Sequence, residues 1–273
     1  MSVREWADLA AEAGLDAVDL SVLFFRDRER SDLTGVRRDI EAAGMHVAVL
    51  NTYPDFTHPA AGERERQFCR LQADIECAAE LGAGMVRVTA GQAYPETGRE
   101  QGIDWVLDGF RRSCETAGKC GVMLVYENHS QPGIWDYPDF SYSSDVFLDI
   151  AGELAGTGMQ ILFDTANPVS CGDDPLLMLR RVINRVACVH AADTRTEGSM
   201  DWVLIGTGSV PFIDIFCMLL ENGYDGLVSI EEASRCGREG VERSAEYVRQ
   251  AWQKACGIVE SRTGRTSTKE GGE

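Results

Sequence analysis

The sequence contains no apolar run of about 18 residues, so it offers no membrane-spanning helix. Its first residues, MSVREWADLAAEAG, are polar and amphipathic and lack the apolar centre of a secretion signal. Basic residues are scarce: 26 Lys and Arg stand against 44 Asp and Glu, leaving a net charge of −18. A surface of that sign repels phosphate backbones and anionic bilayers, so neither nucleic acid nor a membrane is an expected partner. No two of the nine cysteines form a CxxC pair, which argues against a zinc knuckle and against a disulfide framework. Cys77, Cys114, Cys188 and Cys217 fall within apolar stretches instead, as free thiols do in a reducing compartment. A cytoplasmic location is the expectation. The glycine-rich run Gly206–Pro211 (GTGSVP) lacks a Walker lysine and the dinucleotide glycine spacing, so nucleotide binding is not expected.

What is present is an ordinary globular composition, 44% hydrophobic and 26% charged over 273 residues. That length suits one large α/β barrel or two small domains. Short β-branched runs alternate with longer amphipathic stretches almost throughout, the pattern of a parallel sheet. Strands are expected over residues 16–21, 46–53, 85–91, 122–129, 159–167, 186–193 and 227–232. Between them, Phe212, Ile215, Phe216, Leu219 and Leu220 mark one apolar helix face, and Val241, Ala245, Val248 and Trp252 another. Gly14, Gly44, Gly82 and Gly223 each close a helix just before the next strand. The chain opens on a helix, residues 3–13, rather than a strand. Counted back from the end, the visible strands are the second to the eighth of a (β/α)8 TIM barrel, with the first strand missing from this chain. Such a barrel has two unpaired edges. A single barrel domain over residues 1–257 is expected. The Gly-, Ser-, Thr- and charge-rich tail, 258–273, is expected to be disordered.

Four strands end in residues of one chemical kind: Glu127 in VYENH, Asp164 in LFDTAN, His190 in CVHAAD and Glu231 in SIEEAS. Successive members lie roughly one βα unit apart, on consecutive strands. In a barrel the C-terminal strand ends converge on one mouth, so residues distant in sequence meet there. Taken singly, each acid reads as a helix cap or salt bridge and the histidine as a satisfied core group. Four in register do not. Three carboxylates around one imidazole repel one another unless a cation sits among them. Oxygen-rich ligation with one nitrogen suits Mn²⁺ first, with Mg²⁺ or Co²⁺ next.

With these motifs the chain resembles the xylose isomerase-like TIM barrels, a family of sugar phosphate isomerases and epimerases, over about residues 3–252. The resemblance implies that Glu127, Asp164, His190 and Glu231, on the fifth to eighth strands, hold one divalent metal. It implies proton transfer beside a carbonyl or hydroxyl of a small sugar, polyol or keto acid, through an enediolate, with Glu127 and Glu231 as the catalytic acid and base. Lyases on the same scaffold form the second implied class: keto-inositol or dehydroshikimate-type dehydratases, or C-glycoside deglycosidases. A non-catalytic metal-binding subunit is the third. A DNA repair nuclease of the same fold needs several more histidines than the four present. Homodimers or homotetramers are common among related enzymes. The resemblance also reads GTGSVP as the turn before the seventh helix. Asp193, just after the His190 strand, is a candidate to hold the loop or to orient a metal ligand from behind.

One departure falls inside the motif. The epimerases carry His three residues after the Asp, where this chain has Asn167, an amide that cannot act as acid or base. An extra His, His129, stands two residues after Glu127 and so on the same side of the strand. Candidate substrate contacts are His129, Asn167, Arg195, His58, Asn51 and Trp202. Each has a plainer alternative as a surface ion pair, a loop anchor or a packing group. No cluster of Lys and Arg ends a strand, which favours an unphosphorylated substrate.

Overall fold

The computed structural model describes residues 2–24 and 33–263. Helix α1 (Val3–Glu12) opens it with a capping box: the Glu5 N–H donates to the Ser2 hydroxyl, and the Ser2 N–H donates to the Glu5 carboxylate. Seven strands follow: β1 (Val18–Ser21), β2 (Val47–Asn51), β3 (Met85–Val88), β4 (Met123–Glu127), β5 (Gln160–Asp164), β6 (Val186–Ala191) and β7 (Leu227–Ile230). Helices α2 (Leu33–Ala42), α3 (Ala61–Leu81), α4 (Arg99–Cys120), α5 (Ser144–Glu153), α6 (Asn167–Ser170), α7 (Pro175–Val182), α8 (Phe212–Glu221) and α9 (Gly237–Thr263) connect and follow them. Every pairing is parallel and the spatial order is the chain order, the nearly closed barrel expected. Gly82 ends α3 in the left-handed conformation (φ 74°), as its place before β3 predicts. No described helix is long and apolar enough to cross a membrane.

All seven expected strands form, and each is shorter than its sequence pattern. The cause is visible between β4 and β5. The Asn128 side chain takes over the ladder, accepting from the Asp164 N–H and donating to the Asp164 carbonyl, both at 2.9 Å. Asp164 Oδ1 in turn accepts from the N–H groups of Ala166 and Asn167, turning the chain into α6. At the other end, α9 runs to Thr263, beyond the expected domain limit at residue 257. The rest of the expected tail, 264–273, lies outside the described residues.

Strand alternation sets up the site. Tyr126, Phe163 and Val189 point outward to the helices, where the Tyr126 ring lies 5.1 Å from that of Phe110 and 4.9 Å from that of Phe147. Val49, Val125, Leu162 and Cys188 point inward and pack a small apolar plug at the barrel centre. The inward positions two residues further along are Asn51, Glu127, Asp164 and His190, so a polar layer lies on that plug.

The ring of strands does not close. β1 pairs with β2 and β7 with β6, and no ladder joins β1 to β7 among the described residues. A groove of about 150 Å³ occupies the break, lined by Val18 and Asp19 on one side, Val228 and Ile230 on the other, and Trp6 of α1. In consequence β7 is only partly buried, whereas β4 and β5 are buried along most of their length. The break sits where the missing first strand is expected.

Candidate metal centre

Glu127 ends β4, Asp164 ends β5, His190 is the penultimate residue of β6, and Glu231 follows β7. Asp164 and His190 are register partners, and the Glu231 N–H donates to the Ala191 carbonyl at 2.9 Å. One ligand atom from each of the four lies within 4.8 Å of the others. His190 Nδ1 is 3.1 Å from Glu127 Oε1 and 3.2 Å from Glu231 Oε2. Glu127, Asp164 and His190 are buried, whereas the Glu231 side chain is 51% exposed. A cavity of about 230 Å³ opens above them, lined by Asp164, Glu231, Tyr53, His129, Asn167 and Trp202.

Charge crowding dominates the centre. Burial, together with the charges of Glu231 and Glu127, lifts the Asp164 carboxyl well above the usual range. For His190, burial opposes the charge, but its hydrogen bonds to Asp19 and Glu127 prevail and raise it well above an ordinary imidazole. Burial also works against ionised Glu127, yet Arg87, His129 and His190 together hold it down at about 2. Both shifts favour protons where a cation would otherwise neutralise the negative charge. Three carboxylates and one imidazole nitrogen, drawn this close, fit a divalent cation with oxygen-rich preference.

Two residues that sequence reading passed over belong to this centre. Arg87 on β3 is 2% exposed, and its Nε lies 3.0 Å from Glu127 Oε2 and donates to Asn51 Oδ1 at 3.2 Å. One of its terminal nitrogens donates to the Thr52 carbonyl at 2.8 Å, and the guanidinium lies 4.5 Å from the Tyr53 ring centre. Asp19 on β1 contacts His190 Nε2 at 3.2 Å. The available signal was a charge between apolar neighbours, in MVRV and in VDLS.

The six expected substrate contacts divide evenly. His129, Asn167 and Trp202 line the cavity. His129 is kept neutral, because burial lowers its pKa to about 4, and its Nδ1 has no hydrogen-bond partner. Arg195, His58 and Asn51 are not among the lining residues. Arg195 pairs with exposed Asp201 at 2.6 Å, a nearer carboxylate in the same loop. His58 Nδ1 accepts from the Ala60 N–H at 3.1 Å, and its ring meets Tyr94 edge-on at 5.1 Å. Asn51 supports Arg87. The GTGSVP run is a turn before α8, as expected: the N–H groups of Gly206, Gly208 and Val210 donate to Asp193 at 2.9, 2.8 and 3.2 Å. The protein's own carboxylate fills the cradle a phosphate would need.

One wall of the cavity, Ser130–Ile134, is clamped by Asp139. Its N–H donates to the Ser130 carbonyl at 2.6 Å, and its Oδ1 accepts from the Ser141 N–H and hydroxyl, while Oδ2 has no partner. Complete burial lifts the Asp139 pKa from 3.8 to about 7. The folded chain therefore keeps a proton that the unfolded chain has released, and stability is lost as pH rises from about 4 to 7. At about 1.4 kcal/mol per pKa unit the loss reaches up to about 4 kcal/mol. Urea denaturation of Asp139→Asn is expected to match the parent at pH 4 and to exceed it at pH 8. An equal fall in both proteins would remove Asp139 as the source.

Residues 7–251 match the xylose isomerase-like TIM barrel family. A provisionally named hydroxypyruvate isomerase of Streptomyces coelicolor is 26% identical over 236 residues, covering 81% of this chain and 82% of its own. An inosose dehydratase of Geobacillus kaustophilus is 24% identical over 251 residues, covering 81% of this chain and 77% of its own. Among solved structures, L-ribulose 3-epimerase superposes with a TM-score of 0.78 at 16% identity, over 98% of this chain and 93% of that one. An identity that low speaks to the fold alone. The family match takes in the plug, the quartet and the helices around them, and on that extent the chain belongs to the xylose isomerase-like TIM barrels.

Proposed function

We propose that the chain is a divalent-metal-dependent isomerase or epimerase of a small sugar or polyol. The reading is carried by the convergence of four ligand atoms within 4.8 Å at the floor of a polar cavity. A relative described as a hydroxypyruvate isomerase supports it. Glu127, Asp164, His190 and Glu231 would hold the ion, with Mn²⁺ favoured by the donor set. When bound, such an ion polarises a substrate carbonyl and offsets the negative charge that develops on it.

The rest falls to side chains. Glu231 lines the cavity, so it is the carboxylate able to reach a substrate C–H. Although half of the side chain is exposed, partial desolvation of its carboxylate works to raise its pKa, but the hydrogen bond and charge of His190 prevail and keep it ionised, ready to accept a proton. Glu127 stands behind it, paired with Arg87, and would act as the second acid–base group once substrate and ion alter that pairing. His129, kept neutral, lines the cavity beside Asn167, whose amide donates to and accepts from a substrate hydroxyl. Tyr53 and Trp202 give the ring of a sugar an apolar face. Return of the proton to the opposite face epimerises the substrate, and return to the neighbouring carbon isomerises it.

Loss of hydroxide after the same first step gives a dehydratase, the second reading. It draws on the inosose dehydratase relative, which aligns over most of both chains. Proton NMR in D₂O, with Mn²⁺-treated protein freed of excess ion and a panel of ketoses and inososes, separates the two. Solvent deuterium at the carbon of an epimerised or isomerised product is the expected result. A new alkene signal would assign the lyase. No turnover across the panel, with no Mn²⁺ bound, would end the proposal.

A further inference from the structure

We infer that Asp19 is a positioning residue for the metal centre: it fixes which nitrogen of His190 carries the proton and thereby leaves Nδ1 free to bind the ion. The inference rests on the metal reading above. His190 presents its two nitrogens to different neighbours. Nδ1 faces the quartet, 3.1 Å from Glu127 Oε1 and 3.2 Å from Glu231 Oε2. Nε2 faces away from it, 3.2 Å from Asp19 Oδ2. Asp19 is not itself in the group whose ligand atoms converge.

To admit an ion the ring must give up one proton, and the two choices for the proton that remains have opposite consequences. A proton on Nδ1 donates to Glu127 or Glu231 and leaves no lone pair facing the quartet. A proton on Nε2 donates to Asp19 and aims the Nδ1 lone pair at the three carboxylates. The first choice is well served by the two glutamates, so a centre without Asp19 favours the tautomer that cannot ligate. Asp19 supplies the competing acceptor, the arrangement in which a carboxylate orients a metal-binding histidine from behind. Its own surroundings hold it at that ring. The Asp19 side chain is 13% exposed, at an inward position of a strand whose neighbours Val18 and Leu20 are buried. It makes no other hydrogen bond among the described residues.

The plainer alternative is a staple: the contact spans the break between β1 and β7 and could serve only to hold the barrel together. Three measurements on the full chain distinguish the roles, with Asp19→Ala and the near-isosteric Asp19→Asn beside the parent. Mn²⁺ affinity by titration calorimetry is expected to fall about 10–100-fold in Asp19→Ala. The fall is smaller in Asp19→Asn, whose amide oxygen still accepts from Nε2. Long-range ¹H–¹⁵N spectra of the His190 ring with saturating Mg²⁺ are expected to place the proton on Nε2 in the parent. In Asp19→Ala they are expected to show mixed or Nδ1 protonation. A staple alone would lower the metal-free melting temperature while leaving Mn²⁺ affinity and the ring spectra unchanged, and that result overturns the inference. If Asp19→Ala does not fold, Asp19→Asn decides by affinity, since a Mn²⁺ affinity equal to the parent's there also overturns it. A parent that binds no Mn²⁺ sinks the metal reading and this inference together, whereas parental binding retained in both variants sinks this one alone.

Discussion

Turnover of a Glu231→Gln variant is expected to fall by about 10²–10⁴-fold, with substrate affinity largely kept. The amide preserves the shape of the side chain and an oxygen able to face an ion, but it cannot take a proton. No other carboxylate is poised to replace it. Asp164 also lines the cavity, yet burial and its acidic neighbours raise its pKa and its Oδ1 is engaged by two backbone N–H groups. Glu127 is almost wholly buried against Arg87. Single-turnover rates and Mn²⁺ content, measured on the same samples, separate the possible results. Rates near the parent with full Mn²⁺ would take Glu231 out of the chemistry, and loss of the ion would make it a ligand before anything else.

Arg87→Met is expected to lower stability by about 3–5 kcal/mol in the absence of metal, the usual consequence of leaving a buried charge without its partner. Arg87 and Glu127 have side-chain exposures of 3% and 1%, so solvent cannot step in. Burial disfavours the guanidinium charge, but Glu127 and its other neighbours prevail and keep Arg87 protonated. The variant would keep the bulk of the chain inside the barrel while withdrawing that charge from Glu127. A divalent cation held by the quartet would supply positive charge to the same carboxylate. The rise in melting temperature on adding Mn²⁺ is therefore expected to be larger in Arg87→Met than in the parent. Equal rises would mean that Arg87 and the ion do not share Glu127.

The two residues behind these electrostatics mark where sequence reading stopped. Glu127, Asp164, His190 and Glu231 were legible because each follows an apolar strand and the spacing repeats with the βα unit. Arg87 and Asp19 sit within strands, where the question is which face a side chain takes. Parity answers it only once the outward set is known: Val86 and Val88 pack against helices, so Arg87 must point inward. A short parallel strand buried on both faces shows no polar alternation from which to infer this. The break in the ring was legible because α1 precedes β1, an order that a (β/α)8 barrel does not have. Arg195 and His58 lie outside the cavity lining for another reason. Loop side chains near the mouth were assumed to face it, but each found a closer local partner, Asp201 and the Ala60 N–H. Strand ends were drawn too long because Asn128 and Asp164 replace backbone rungs with side-chain bonds, a substitution that periodicity does not register.

The break beside β1 makes the barrel a clasp rather than a hoop. A hoop keeps its bore through backbone bonds all the way round, whereas a clasp keeps it through whatever bridges the two lips. Glu231 follows the strand at one lip and Asp19 stands on the other, and the His190 ring touches both, at 3.2 Å each. A cation held at the centre would rivet the first lip to the ring, and the ring's far nitrogen would carry that hold across to the second. On the proposed function, occupancy and bore would then be one variable, and a loaded protein would be a tighter vessel than an empty one.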